Sequence, residues 1–133
     1  MGIGQLADGW SMATLSWLLA AVVLMSASPA RAGEADVIGV KIWRAADGSY
    51  NFDITVKSKD TGWDYHADRF EVLAPDGRVL GSRVLLHPHD DEQPFTRDLY
   101  GVTIPPSIRA VIVRAHHKPR GYDGATMTVE LPR

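Results

Sequence analysis

From Tyr50 to Lys57 the chain alternates without a break: Tyr50, Phe52, Ile54 and Val56 are apolar, and Asn51, Asp53, Thr55 and Lys57 are polar. Neighbouring side chains of an extended strand point to opposite faces, so this segment can bury one face only as a β-strand. Weaker versions recur further along. Ile38, Val40 and Ile42 stand against Gly39 and Lys41; Phe70 and Val72 against Arg69 and Glu71; Met127, Val129 and Leu131 against Thr126, Thr128 and Glu130. Val79 to Leu86 and Phe95 to Ile104 are β-rich, the second interrupted by Gly101. Ala110 to Ala115 carries Val111, Ile112 and Val113 in succession, as a central strand buried on both faces would. No segment after Gly33 keeps a 3.6-residue period, so no helix is expected there.

Turn residues separate these runs. Ala46-Asp47-Gly48-Ser49 and Ala74-Pro75-Asp76-Gly77 each place a glycine where a tight turn needs positive φ, and Pro105-Pro106-Ser107 makes a third short corner. The other three connections are long: Ser58 to Asp68, His87 to Pro94 and His116 to Ala125. Seven short strands at this spacing predict an all-β fold, a seven-stranded antiparallel β-sandwich, with a small barrel as the alternative. Leu99-Tyr100-Gly101-Val102-Thr103-Ile104-Pro105, followed by Val111-Ile112-Val113-Arg114-Ala115, is similar to the E–F region of fibronectin type III domains. The layout as a whole resembles an immunoglobulin or fibronectin type III domain without its Cys…Trp…Cys core.

The apolar run Leu15 to Ala27 is too short to span a bilayer of about 30 Å comfortably. Ser28-Pro29-Ala30-Arg31-Ala32 follows it, an A-x-A cleavage pattern. The expectation is a signal peptide over 1–32, cleaved after Ala32, and a single sandwich domain over 33–133. Nothing from Met1 to Ser16 is basic and Asp8 is acidic, which departs from the usual leader; an uncleaved anchor is the competing reading. The expected location is periplasmic or secreted, with no membrane contact after cleavage. The chain has no cysteine, which excludes disulfides, thiolate metal sites, cysteine nucleophiles and a lipobox. Its 14 basic and 16 acidic residues leave a net charge of −2, so no broad basic field is present for nucleic acid.

Successive antiparallel strands reverse direction, so connections alternate between the two ends of a sandwich. The three short turns fall at one pole and the three long loops at the other. All five histidines, His66, His87, His89, His116 and His117, then belong to the long-loop pole, and the opposite pole carries nothing comparable. Loops on a rigid scaffold are where binding function concentrates. In His87-Pro88-His89 an extended backbone turns both imidazoles to one side, and His116, His117 or His66 can approach from neighbouring segments. Two or three imidazoles with a carboxylate suit zinc or copper, so copper or zinc is the candidate cofactor. The same histidines also fit solvated loop positions or hydrogen bonds to loop backbone.

No G-x-S-x-G, H-E-x-x-H or glycine-rich phosphate loop occurs, and neither Ser58 nor Thr61 has a nucleophile's context. No catalytic residue is assigned. For recognition, Trp63, Tyr65 and Tyr122 offer an aromatic platform, with Asp64 and Asp90 as polar neighbours. The alternative for Trp63 is an indole folded back over the end of the core. Trp43 reads as packing, and Arg97 and Arg114 as outward or paired with sheet carboxylates. Gln93-Pro94-Phe95 reads as a fixed loop exit that packs an aromatic into the core.

Gly62-Trp63-Asp64 with Ala67-Asp68, then Leu85-Leu86-His87-Pro88-His89, then Glu92-Gln93-Pro94-Phe95-Thr96-Arg97 together resemble a group of small exported bacterial proteins of unassigned function. The resemblance implies a periplasmic setting and an immunoglobulin-like fold, with no catalytic assignment. Three functions follow as expectations. The first is a non-enzymatic binding or interaction domain acting through the long-loop pole on a periplasmic protein or small ligand. The second is a copper- or zinc-binding protein, and the third a small exported hydrolase.

Overall fold

A computed structural model describes Val23–Leu24 and residues 32–133 of the chain. The expected leader lies outside the described residues except at Val23, Leu24 and Ala32. The elements are β1 (Val23–Leu24), β2 (Ala35–Arg44), β3 (Tyr50–Ser58), β4 (His66–Leu73), β5 (Val79–Val84), β6 (Phe95–Val102), β7 (Ala110–Lys118) and β8 (Met127–Glu130). The seven strands after β1 coincide with the seven runs, and every described pairing is antiparallel.

The strands form two sheets, ordered β1-β2-β3-β6 and β5-β4-β7-β8. In the constant-type immunoglobulin order the fourth strand pairs in the sheet of the first, second and fifth. Here β5, the fourth long strand, pairs instead with β4 in the opposite sheet. Their inner faces meet in one core whose largest side chains are Phe52, Phe70 and Phe95, all 0–1% exposed. The alternation in β3 is realised as read: Phe52, Ile54 and Val56 are buried at 0%.

Two local expectations are corrected. Ile38 does not face the core; it is 40% exposed. A β-bulge between Val37 and Gly39 inserts a residue, so Val37, Val40 and Ile42 are the buried set. One added residue flips every side chain on its near side. β7 is central, between β4 and β8, but Ile112 is half-buried. Its register partners in the sheet are Leu73 and Thr128.

The Asp-Gly turns form as their glycines require, with φ of 89° at Gly48 and 94° at Gly77. In each, an aspartate caps its own turn: Asp47 Oδ1 accepts from Ser49 N at 2.9 Å, and Asp76 Oδ1 from Arg78 N at 3.0 Å. These turns and the 103–109 corner share one pole.

Candidate functional site

The three long loops meet at the other pole, and one buried carboxylate ties two of them together. Asp60, 8% exposed, accepts from Ser58 Oγ at 2.7 Å, Ala67 N at 3.0 Å and His89 N at 2.8 Å. A buried anion is tolerated only when its lone pairs are filled, and these three donors do that. Gln93 adds a second tie: its Oε1 accepts from Ser58 N at 2.8 Å, and its Nε2 donates to His89 O at 2.9 Å. The β5–β6 loop is thereby locked onto the β3–β4 loop. Beneath it Phe95 is 1% exposed and stacks on His89 with ring centroids 3.9 Å apart, so the loop exit packs an aromatic inward as expected.

The β7–β8 loop is held by the start of β2 and the residues just before it. Asp36 Oδ1 accepts from Ala125 N and from Gly33 N, both at 2.7 Å, and Glu34 N donates to Asp123 Oδ1 at 3.1 Å. Contact is so close that a Cβ on Gly124 would lie 1.8 Å from Ala35 O. Glu34 also accepts from the Tyr65 hydroxyl, a bond that holds the Glu34 carboxyl below its ordinary value and the Tyr65 phenol above its own.

Only His87 and His89 of the five histidines belong to a loop. His66, His116 and His117 extend β4 and β7, because the period-2 alternation continues through Ala115 and His117 into the end of β7. The expected loop bounds, Ser58 to Asp68 and His116 to Ala125, are corrected accordingly. His117 is fully buried under Tyr65; its Nε2 donates to Lys59 O at 3.0 Å and its Nδ1 accepts from Arg120 N at 3.4 Å, which uses both ring nitrogens. His116 Nδ1 donates to Asp68 Oδ1 at 2.5 Å. His66 and His89 are each 5% exposed, and the Nδ1 of each is buried with no hydrogen-bond partner among the described residues, although Asp60 Oδ2 lies 3.9 Å from that of His89. His87 is exposed, with its ring centroid 4.7 Å from that of His89. Among the described residues no three His, Asp or Glu side chains come together to hold a metal.

Of the recognition candidates, Trp63 is 63% exposed and meets the edge of His66 at 6.0 Å. The indole is therefore no lid on the core. Asp64 and Asp90 are exposed beside it in sequence and in the next loop, while Tyr65 is half-buried on His117. Tyr122, 40% exposed, belongs to a cluster that sequence reasoning did not assemble. The Arg114 guanidinium lies 3.7 Å from the centre of its ring, Arg69 Nη2 donates to its hydroxyl at 2.7 Å, and His116 meets its ring at 4.7 Å. Behind them Glu71, 7% exposed, accepts from Arg114 Nε at 2.8 Å and Arg69 Nε at 3.4 Å. Burial works to raise the Glu71 carboxyl, but the Arg114 hydrogen bond and charge, with Tyr122 and Arg69, outweigh it and hold it below the ordinary value. The signal was present in the alternation: Arg69 and Glu71 share one face of β4, and β7 sets Arg114 and His116 opposite them.

Arg114 is paired with the sheet carboxylate Glu71 as expected, whereas Arg97 pairs with Glu92 of the β5–β6 loop at 2.8 Å. The opposite pole has a feature that the sequence did not show. A cavity of about 600 Å³ opens there, between the β2–β3 turn, the 103–109 corner and residues 130–133.

Compared with known proteins, the chain is 36% identical over 97 residues to a protein of Halomicrobium mukohataei described as a "Putative lipoprotein". The match takes in 73% of this chain and 47% of the relative, so the chain spans about half the length of the curated relative it matches. No family of known proteins matches the chain, and no solved structure does.

Proposed function

We propose that the protein is an exported, non-enzymatic interaction domain that engages a partner protein through its long-loop pole. One observation carries the reading. The loops there are fixed by bonds to buried groups, yet they present Trp63 at 63% and Leu86 at 78% exposure. Large apolar side chains held in water at a rigid site have already met the ordering cost of binding. Tryptophan, tyrosine and arginine are the residue types that dominate protein interfaces, and Trp63, Tyr122 and Arg69 supply one of each. These side chains protrude rather than enclose, which favours a protein over a small ligand.

Export is supported by the leader pattern over 1–32 and by the likeness to part of a protein described as a lipoprotein. The 133 residues contain no cysteine to carry a lipid, so the location proposed is periplasmic or secreted. The test is a photo-crosslinking residue at position 63 in cells exporting the protein, with a control at Ser107 on the opposite pole. A discrete adduct at position 63 that Tyr122→Ala abolishes, with none at position 107, is the expected result. Equal adducts at both positions, or none at 63, would overturn the proposal. A rise in melting temperature with Cu²⁺ or Zn²⁺ that His87→Ala removes would favour the metal reading instead.

A further inference from the structure

Nine arginines lie among the described residues. Six of them, Arg69, Arg78, Arg83, Arg97, Arg114 and Arg120, are ion-paired with a carboxylate. The other three, Arg44, Arg109 and Arg133, have no such partner among the described residues, and all three line the cavity at the short-turn pole. They arrive from different segments: Arg44 ends β2, Arg109 precedes β7, and Arg133 follows β8. Among the described residues, every other guanidinium is ion-paired, and the three without a carboxylate partner gather at one concave place.

The inner part of the lining is apolar. Ile108 and Leu131 pack against the core and form the inner wall, and Tyr50 adds a ring with the Arg44 guanidinium 6.0 Å from its centre. The wall is held by backbone: Leu131 N donates to Arg109 O at 2.8 Å and Ile108 N to Pro105 O at 3.0 Å. Tyr50 is fixed by its hydroxyl, which donates to Pro132 O at 3.3 Å. A cavity of about 600 Å³ is within the range of small-molecule sites, roughly 300–1,000 Å³.

We infer that this cavity binds a small amphipathic monocarboxylate, its headgroup on Arg44 and Arg109 and its apolar body along Ile108, Leu131 and Tyr50. A guanidinium presents its N–H groups as a fork that matches a carboxylate. Two acidic residues, Asp47 and Glu130, also line the cavity and select against a dianion. Asp47 is engaged with Ser49 N and Oγ, so it does not neutralise the arginines by direct pairing. The apolar wall demands more than a bare anion, because an ion alone would leave Ile108 and Leu131 wet.

Calorimetric titration of the full chain with octanoate tests the inference, with acetate, octan-1-ol and inorganic phosphate as separate titrants. Octanoate should bind at least tenfold more tightly than any of the three. The double variant Arg44→Gln, Arg109→Gln should lose at least tenfold in octanoate affinity with an unchanged melting temperature, since both side chains are exposed. Trp63→Ala should bind octanoate as the parent does, which separates this site from the proposed protein-binding pole. Octanol binding as tightly as octanoate would remove the role of the guanidiniums. Phosphate or acetate binding as tightly would remove the role of the wall. Absence of octanoate binding, or its persistence in the double variant, would overturn the inference outright.

Discussion

At the short-turn pole Asp47 and Asp76 each bond within their own turn, to a residue two positions away. At the long-loop pole Asp60 bonds to Ala67 and, 29 positions distant, to His89. The first kind of order is local and forms wherever the turn forms. The second exists only once the sandwich has closed. The two poles therefore differ in how much one side chain can undo. They differ also in what they offer: protruding Trp63 and Leu86 at one, a concave set of unpaired guanidiniums at the other.

The largest effect should come from Asp60→Ala, which strands the Ser58 hydroxyl and the Ala67 and His89 amides in a dry site. A loss of about 3 kcal/mol is expected. For a domain of this size that lowers the melting temperature by roughly 15 °C, readable by differential scanning calorimetry. Gly124→Ala should follow at about 2 kcal/mol, because its Cβ meets Ala35 O and must push the β7–β8 loop off β2. Asp47→Ala, the local counterpart of Asp60, should cost about 1 kcal/mol. Equal losses for Asp47 and Asp60 would break the contrast between the poles.

The long-loop pole should also be the acid-sensitive one. Burial pushes the His89 imidazole below its ordinary value, with Arg97 and His87 adding to the effect and Asp60 and Glu92 opposing it. The unfolded chain then binds more protons than the fold as pH drops below about 6.5. Stability contributed by the uncharged ring is present above that value and is lost as pH falls toward the lowered folded pKa. Urea unfolding across this range should show the slope, and His89→Phe, which keeps the stack on Phe95, should flatten it. A slope unchanged by that substitution would assign the acid sensitivity elsewhere. Trp63→Ala should be the smallest change, within about 0.5 kcal/mol, since the indole is mostly in water. With the crosslinking residue moved to exposed position 86, it should nevertheless abolish the adduct at the long-loop pole.

The strands were legible because alternation is a local property of extended backbone: the runs of β2, β3, β4 and β8 show it, and the glycines of both Asp-Gly turns mark where runs end. Phe95 was legible for a related reason, an aromatic placed just past a proline at a loop exit. The bulge at Val37 and Gly39 was not, since one residue of slippage leaves the same apolar composition behind. Nor were the strand positions of His66, His116 and His117, because histidine accepts either burial or water. The pairing of β5 with β4 rather than in the first sheet is set by contacts far apart in sequence.

By its own alternation, turns and missing cysteines, the sequence determined an all-β chain without disulfides and which faces of its strands turn inward. The tertiary structure alone decided what the polar residues do. Burial aims the amides of Ala67 and His89 at Asp60, sets Tyr122 against Arg114, and brings Arg44 and Arg109, which are ion-paired with no carboxylate among the described residues, to one cavity. A charged side chain's role depends on which partner comes within a few ångströms, and that distance is set only when segments distant along the chain pack together.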